Sequence, residues 1–103
     1  MSKLISVIVP THNRHMPLID LIISIDNQSY INKEIIVVDD NSDDNRMTKR
    51  TVEGLKERIK TNLLYFNTNY NSYGLALARN VGVKEALGDI FLFMDDRYIL
   101  SGS

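Results

Sequence analysis

The sequence predicts an α/β layer fold built on a mainly parallel sheet of about four strands. Three observations predict it. Short runs rich in Ile and Val recur along the chain, as in "LISVIV" and "EIIVV". Longer stretches with apolar residues at helical spacing lie between them, and a cluster of Asp, Asn or Gly closes most runs. The runs are continuous rather than alternating, which suits strands covered on both faces. Strands separated by helices pair in parallel through right-handed crossovers.

Leu4 to Val9 is the expected first strand, bounded by Pro10. From Pro17, "PLIDLIISIDNQ" sets apolar residues at 18, 19, 21, 22, 23 and 25, with the proline at the first helical position. Ile35 to Val38 is the second strand, and Asp39 to Asp44 form the polar turn after it. Met47, Val52, Leu55 and Ile59 stand among charges between about Arg46 and Lys60, an amphipathic helix weakened by Gly54. "NLLYF" is the third strand, followed by the Asn-dense loop "NTNYNSYG". "LALARNVGVKEALG" predicts a helix with Leu75, Leu77, Ala78, Val81 and Leu87 inward and Gly88 as its stop, and "IFLFM" is the fourth strand.

A chain of 103 residues makes one domain and buries a core without staples. Its formal charge of −1 gives no general attraction for nucleic acid or membrane, so any anion must be gripped locally. The absence of cysteine excludes disulfides, thiolate zinc sites and cysteine nucleophiles. "LIDLIISI" is too short to span a bilayer and the opening lacks the features of a leader, so the expectation is a cytoplasmic protein with no transmembrane segment. His12 and His15 stand three apart, but with no third ligand nearby a zinc site is the weaker reading. The aromatic residues follow no basic stripe, so no nucleic acid partner is expected.

In open parallel sheets, ligands bind outside the carboxyl ends of the strands, where the strand order reverses. Three polar clusters fall at such ends: "PTHNR", "DDNSDD" and "DDR". Asp and Asn also serve as turn formers and caps, so each cluster alone is an ordinary turn. Together on one rim they form a candidate site.

The segments "SVIVPTHNR", "QSYINKEIIVVDDNSDD" and "ARNVGVKEALGDIFLFMDD" occur in this order through nearly the whole chain. Together they resemble the inverting glycosyltransferases of the GT-A fold known as family 2. The resemblance implies a Rossmann-like three-layer sandwich, the half of the enzyme that binds a nucleotide diphosphate sugar, most commonly a UDP-sugar. It implies that Pro10, Thr11 and His12 border the base and ribose, and that Asp40 accepts a hydrogen bond from the base. His12 stands where the family commonly has tyrosine or phenylalanine, and an imidazole offers a smaller ring for stacking. Arg14 or Arg79 suits a phosphate through its planar fork, and Arg79 equally suits an acidic loop.

The family's acidic motif is Asp-x-Asp, which supports a Mn²⁺ or Mg²⁺ ion at the diphosphate. By position Asp95 is its first acid, Asp96 the middle residue and Arg97 the second acid. An arginine there removes one oxygen ligand and repels the ion, so a metal on Asp95 and Asp96 stays an open expectation. Asp96 substitutes if the strand end shifts by one residue, or Arg97 itself takes the metal's role toward the diphosphate. A plain turn at Asp95 and Asp96 is the remaining reading. Inverting transfer also needs a general base, which the resemblance assigns to the acceptor-binding half, so residues 1–103 are expected to be a single donor-binding domain that stops short of it.

Two other readings compete. "IIVVDDNSDDNRMTKRTVEGL" and "IFLFMDD" also look like parts of a phosphoacceptor receiver domain, which would use Mg²⁺ and an aspartyl phosphate. That reading leaves "SVIVPTHNR" unused. The other is an inactive nucleotide-binding fold that acts through partners. A fourth strand left uncovered offers apolar surface and unpaired backbone, which predicts self-association.

Overall fold

The computed structural model describes residues 3–43, 46–69 and 75–94. Its elements run β1 (Ile5–Thr11), α1 (His15–Asp26), β2 (Lys33–Asp39), α2 (Met47–Lys56), β3 (Asn62–Asn67), α3 (Leu75–Glu85) and β4 (Ile90–Phe93). The strands pair in parallel in the order β3-β2-β1-β4. From β1 the chain steps outward twice in one direction, then returns past its starting point to β4. Right-handed crossovers therefore put α1 and α2 on one face of the sheet and α3 on the other.

The alternation of strand side chains feeds two cores. Val7, Val9, Ile35, Val37 and Leu63 meet Leu18, Leu21, Ile22 and Ile25 of α1 and Val52 and Leu55 of α2. On the opposite face Ile8, Ile36 and Val38 meet Ala78 of α3. Each fully buried Leu or Ile contributes on the order of 1.5–3 kcal/mol, so among the described residues the α1 and α2 side carries the larger share. Gly82 lets α3 lie close on the thinner side, because a Cβ there would fall 2.4 Å from Cγ2 of Ile8.

The expected elements are all present, with shifted ends. Pro10 lies inside β1, paired opposite Val38. The Ile8 carbonyl accepts from the Met94 amide on the β4 side, while the Thr11 carbonyl accepts from Asp40 on the β2 side. By alternation Pro10 faces the β4 side, beyond the last β1–β4 pair at Ile8 and Phe93, so its missing N–H breaks no ladder bond. Pro17 is the third residue of α1, still within the first turn where amides lack helical partners. β2 extends through Asp39, which belongs to the strand and not to the turn.

α3 ends at Glu85, so Gly88 is not its stop, and Leu87 is 78% exposed where the sequence predicted an inward residue. The cause is a latch at the amino-terminal edge of the sheet. The buried carboxylate of Glu34 accepts from the Ser6 hydroxyl at 2.6 Å and from the Leu87 amide at 2.8 Å. Ser6 Oγ in turn accepts from the Gly88 amide at 2.9 Å. These bonds pull the backbone of residues 87 and 88 onto the sheet and turn the Leu87 side chain away from it. Gly88 is required for close approach, since a Cβ there would sit 2.3 Å from Ser6 Oγ and 2.8 Å from the Leu4 carbonyl oxygen.

A second clamp joins α1 to the start of β3. Asp26 Oδ1 accepts from the Lys60 amide at 3.1 Å, the Thr61 amide at 2.9 Å and the Thr61 hydroxyl at 2.7 Å. Burial alone would raise the Asp26 carboxyl, but the bonds from Thr61 and Lys60, with the charge of Lys33, outweigh it and hold the group below its usual value. An acid at a helix carboxyl end opposes the macrodipole. Asp26 is kept ionised there by the donors it receives from outside the helix.

Candidate active site

The strand order places the switch point between β1 and β4, and the carboxyl end of β1 opens beside it. β1 and β2 stay paired to their last residues, Thr11 opposite Asp39. The ladder then continues as single bonds: the Asp40 amide donates to the Thr11 carbonyl at 2.8 Å, and the Thr68 amide donates to the Asp39 carbonyl at 2.9 Å. These bonds carry the loops after β1, β2 and β3 onto one rim.

An asparagine turns each of the three loops. Asn13, Asn41 and Asn69 have φ of 52°, 53° and 62°, the left-handed region that asparagine tolerates better than most residues. The Asn two residues after β1, β2 and β3 thus serves the backbone turn.

Asp39 and Asp40 are neighbours with different work. Asp39 is 2% exposed. Its Oδ1 accepts from the Ser42 amide at 2.9 Å and the Ser42 hydroxyl at 2.5 Å, and its Oδ2 accepts from the Tyr65 hydroxyl at 2.5 Å. Asp39 is therefore consumed by the architecture of the loop. Asp40 is half-buried; its Oδ1 accepts from the Thr68 hydroxyl at 3.0 Å, and its carbonyl lies 2.7 Å from Nδ1 of His12.

The structure thus joins Thr11, His12 and Asp40 directly. Pro10 and Thr11 are buried at the end of β1, His12 is exposed just beyond, and Arg14 is exposed as the residue preceding α1. Arg79 lies on α3, with its guanidinium carbon 5.4 Å from the centre of the Phe93 ring, a cation–π contact on β4. Among the described residues its observed neighbour is this aromatic ring. Asp95 and Asp96, offered by the sequence as metal ligands, lie outside the described residues together with Arg97. Among the described residues no three His, Cys, Asp or Glu side chains group as a metal site. No helix among them is long and apolar enough to cross a membrane.

Sequence reasoning missed Asn13, Asp39, Ser42, Tyr65 and Thr68 as supports of the rim. For Asp39 a signal existed. Strand alternation puts it on the side of Ile35 and Val37, facing the larger core, where a carboxylate needs several donors. Tyr65 and Thr68 carry no comparable signal, because their role depends on the pairing of β2 with β3.

The structure is thus a parallel α/β fold with an acidic, hydrogen-bonded rim at the carboxyl ends of its strands. Residues 6–97 match the model of glycosyl transferase family 2, and the chain belongs to that family. It is 43% identical to a Campylobacter jejuni GalNAc(5)-diNAcBac-PP-undecaprenol beta-1,3-glucosyltransferase, over 96% of this chain and 31% of that protein. The S. aureus TarS 1–349 structure in complex with UDP-GlcNAc superposes with a TM-score of 0.79 at 33% identity, covering 92% of this chain and 26% of that one. The mannosyltransferase PcManGT from Pyrobaculum calidifontis, in complex with GDP-Man and Mn²⁺, gives a TM-score of 0.79 at 26% identity over 95% of this chain and 28% of that one. The chain therefore spans less than a third of the length of each of these relatives. The family match begins at Ser6, in the strand that a receiver domain would leave unused.

Proposed function

We propose that this chain binds a nucleoside diphosphate sugar, with uridine as the base, as the donor-binding half of an inverting glycosyltransferase. The observation that carries this reading is the union of the Asp40 backbone with Thr11 and His12 at the ends of β2 and β1. It sets one carboxylate and one aromatic ring side by side on the rim at the carboxyl ends of β2 and β1. The carboxylate accepts the imide N–H of uracil, the imidazole face packs on the base, and Pro10 and Thr11 border the ribose. Arg14 and Arg79 are the cations assigned to the diphosphate, Arg79 after leaving its stacked position on Phe93. Uridine is favoured by the UDP-GlcNAc complex of TarS, and the GDP-Man complex of PcManGT marks guanosine as the competing choice.

The general base and the acceptor site belong, on this reading, to a half outside residues 1–103. A divalent cation on Asp95 and Asp96, when bound, would neutralise the diphosphate as the sugar departs. Calorimetric titration with UDP, in Mn²⁺ and again in a chelator, tests the reading. Binding that Mn²⁺ strengthens assigns the diphosphate to an ion held at Asp95 and Asp96. Binding indifferent to Mn²⁺ assigns it to Arg97 and its neighbours. Absence of binding in both buffers contradicts the donor role.

The same reading includes self-association through β4. Ile90, Phe91, Leu92 and Phe93 are each more than 40% exposed, and among the described residues β4 has no neighbour on its outer side. A second copy that pairs there covers both the apolar side chains and the open edge. Sedimentation at micromolar concentration is expected to show a dimer or larger species, and a monodisperse monomer contradicts it.

A further inference from the structure

Two groups that flank the His12 ring have fixed hydrogen-bonding sense. The Asp40 carbonyl, 2.7 Å from Nδ1, can only accept, so Nδ1 carries the proton. At the other end, Asn13 Nδ2 lies 3.1 Å from Nε2. The orientation of that amide is set independently, because Asn13 Oδ1 accepts from the Asp43 amide at 2.8 Å and a backbone N–H can only donate. The Asn13 NH₂ therefore donates to Nε2, which must hold a lone pair. Two arguments that start from different loops require the same tautomer, neutral with the proton on Nδ1. An imidazolium would set N–H against N–H at the Asn13 end.

Asn13 is in turn held from the β2 loop. Its backbone N–H donates to Ser42 Oγ at 2.8 Å, and Ser42 is tied to Asp39, which is tied to Tyr65. One line of bonds thus runs from β3 through the β2 loop to the turn that carries the histidine ring just after β1.

We propose that Asn13 is a positioning residue that locks His12 in the Nδ1–H tautomer and fixes the plane of its ring on the rim. The lock deepens the donor-binding reading and rests on it for its purpose. A smaller imidazole placed where a larger aromatic ring would stack gains from being held in one orientation, since less ordering is left to do on binding. The side chain and the backbone of Asn13 have separate roles. Its φ of 52° suits glycine even better, so Asn13→Gly removes the amide side chain without straining the turn.

The test is long-range ¹H–¹⁵N NMR of the imidazole nitrogens in the full chain, recorded in mildly alkaline buffer and assigned with a His15→Gln variant. Wild-type His12 is expected to show a protonated Nδ1 and a bare Nε2. Asn13→Gly is expected to shift the ring toward a mixture containing the Nε2–H form, and to weaken UDP binding by roughly fivefold, the equivalent of one ordinary hydrogen bond. Asn13→Asp sets a carboxylate against Nε2 and is expected to draw a proton there. A wild-type ring protonated mainly on Nε2, or one whose tautomer ignores both substitutions, overturns the proposal. A wild-type chain with the Nδ1–H ring that fails to bind UDP supports the lock and overturns the donor reading, so the two fail separately.

Discussion

Replacing Asp40 by alanine is expected to weaken UDP binding by roughly 10- to 150-fold, the range that follows from losing one hydrogen bond to a charged group. The fold should survive, because Asp40 is half-buried and its bonds to the Thr11 carbonyl and the His12 ring come from its backbone. The side chain loses one structural partner, the Thr68 hydroxyl, which the loop beside it can rehydrate. Asp39→Ala serves as the contrast. It strips a buried residue of three accepted bonds and is expected to lower the unfolding midpoint as well as the affinity. Calorimetry for affinity and circular dichroism for melting separate the two acids. Equal UDP affinity in Asp40→Ala and wild type contradicts the assignment of Asp40 to the base.

The largest effect on stability is expected at the opposite edge of the sheet. Glu34→Ala leaves the Ser6 hydroxyl and the Leu87 amide without their acceptor, and the site is 2% exposed at Glu34. An unsatisfied buried donor costs about 1–3 kcal/mol, and because the Leu87 amide is only partly buried beside the buried Ser6 hydroxyl, urea unfolding should register a loss of about 2–4 kcal/mol. Gly88→Ala attacks the same latch sterically, since its Cβ meets the Ser6 hydroxyl and the backbone oxygen of Leu4. Both changes lie at the amino-terminal end of the strands, away from the rim, so the folded fraction should keep its UDP affinity. A loss below about 0.5 kcal/mol in Glu34→Ala would show that water enters and replaces the carboxylate.

Much of the fold was legible because the two strongest signals are local. Apolar runs of β-branched residues marked the strands, and their alternation with amphipathic stretches fixed parallel pairing. Element ends were less legible because they depend on partners distant in sequence. Asp39 stays in β2 because Tyr65 and Ser42 supply donors, and α3 stops short because Glu34, more than 50 residues earlier, captures the Leu87 amide. The rim divides in the same way. The positions of Asp40 and His12 at strand ends could be read from motif order, while the contact of Asn13 with the histidine ring could not. Asn13 reads in sequence as a turn residue, and it is one; only the approach of the β2 loop gives its side chain a second task.

The central claim is that a uridine nucleotide lies on the rim made by the ends of β1, β2 and β3. Mapping UDP-induced amide shifts in the ¹⁵N-labelled chain tests it most directly. The account predicts the largest shifts at residues 11–14 and 39–43, weaker ones near residues 67–69, and little change in α2 or in the Glu34 latch. Shifts concentrated on α2, or spread evenly over the chain, would contradict it.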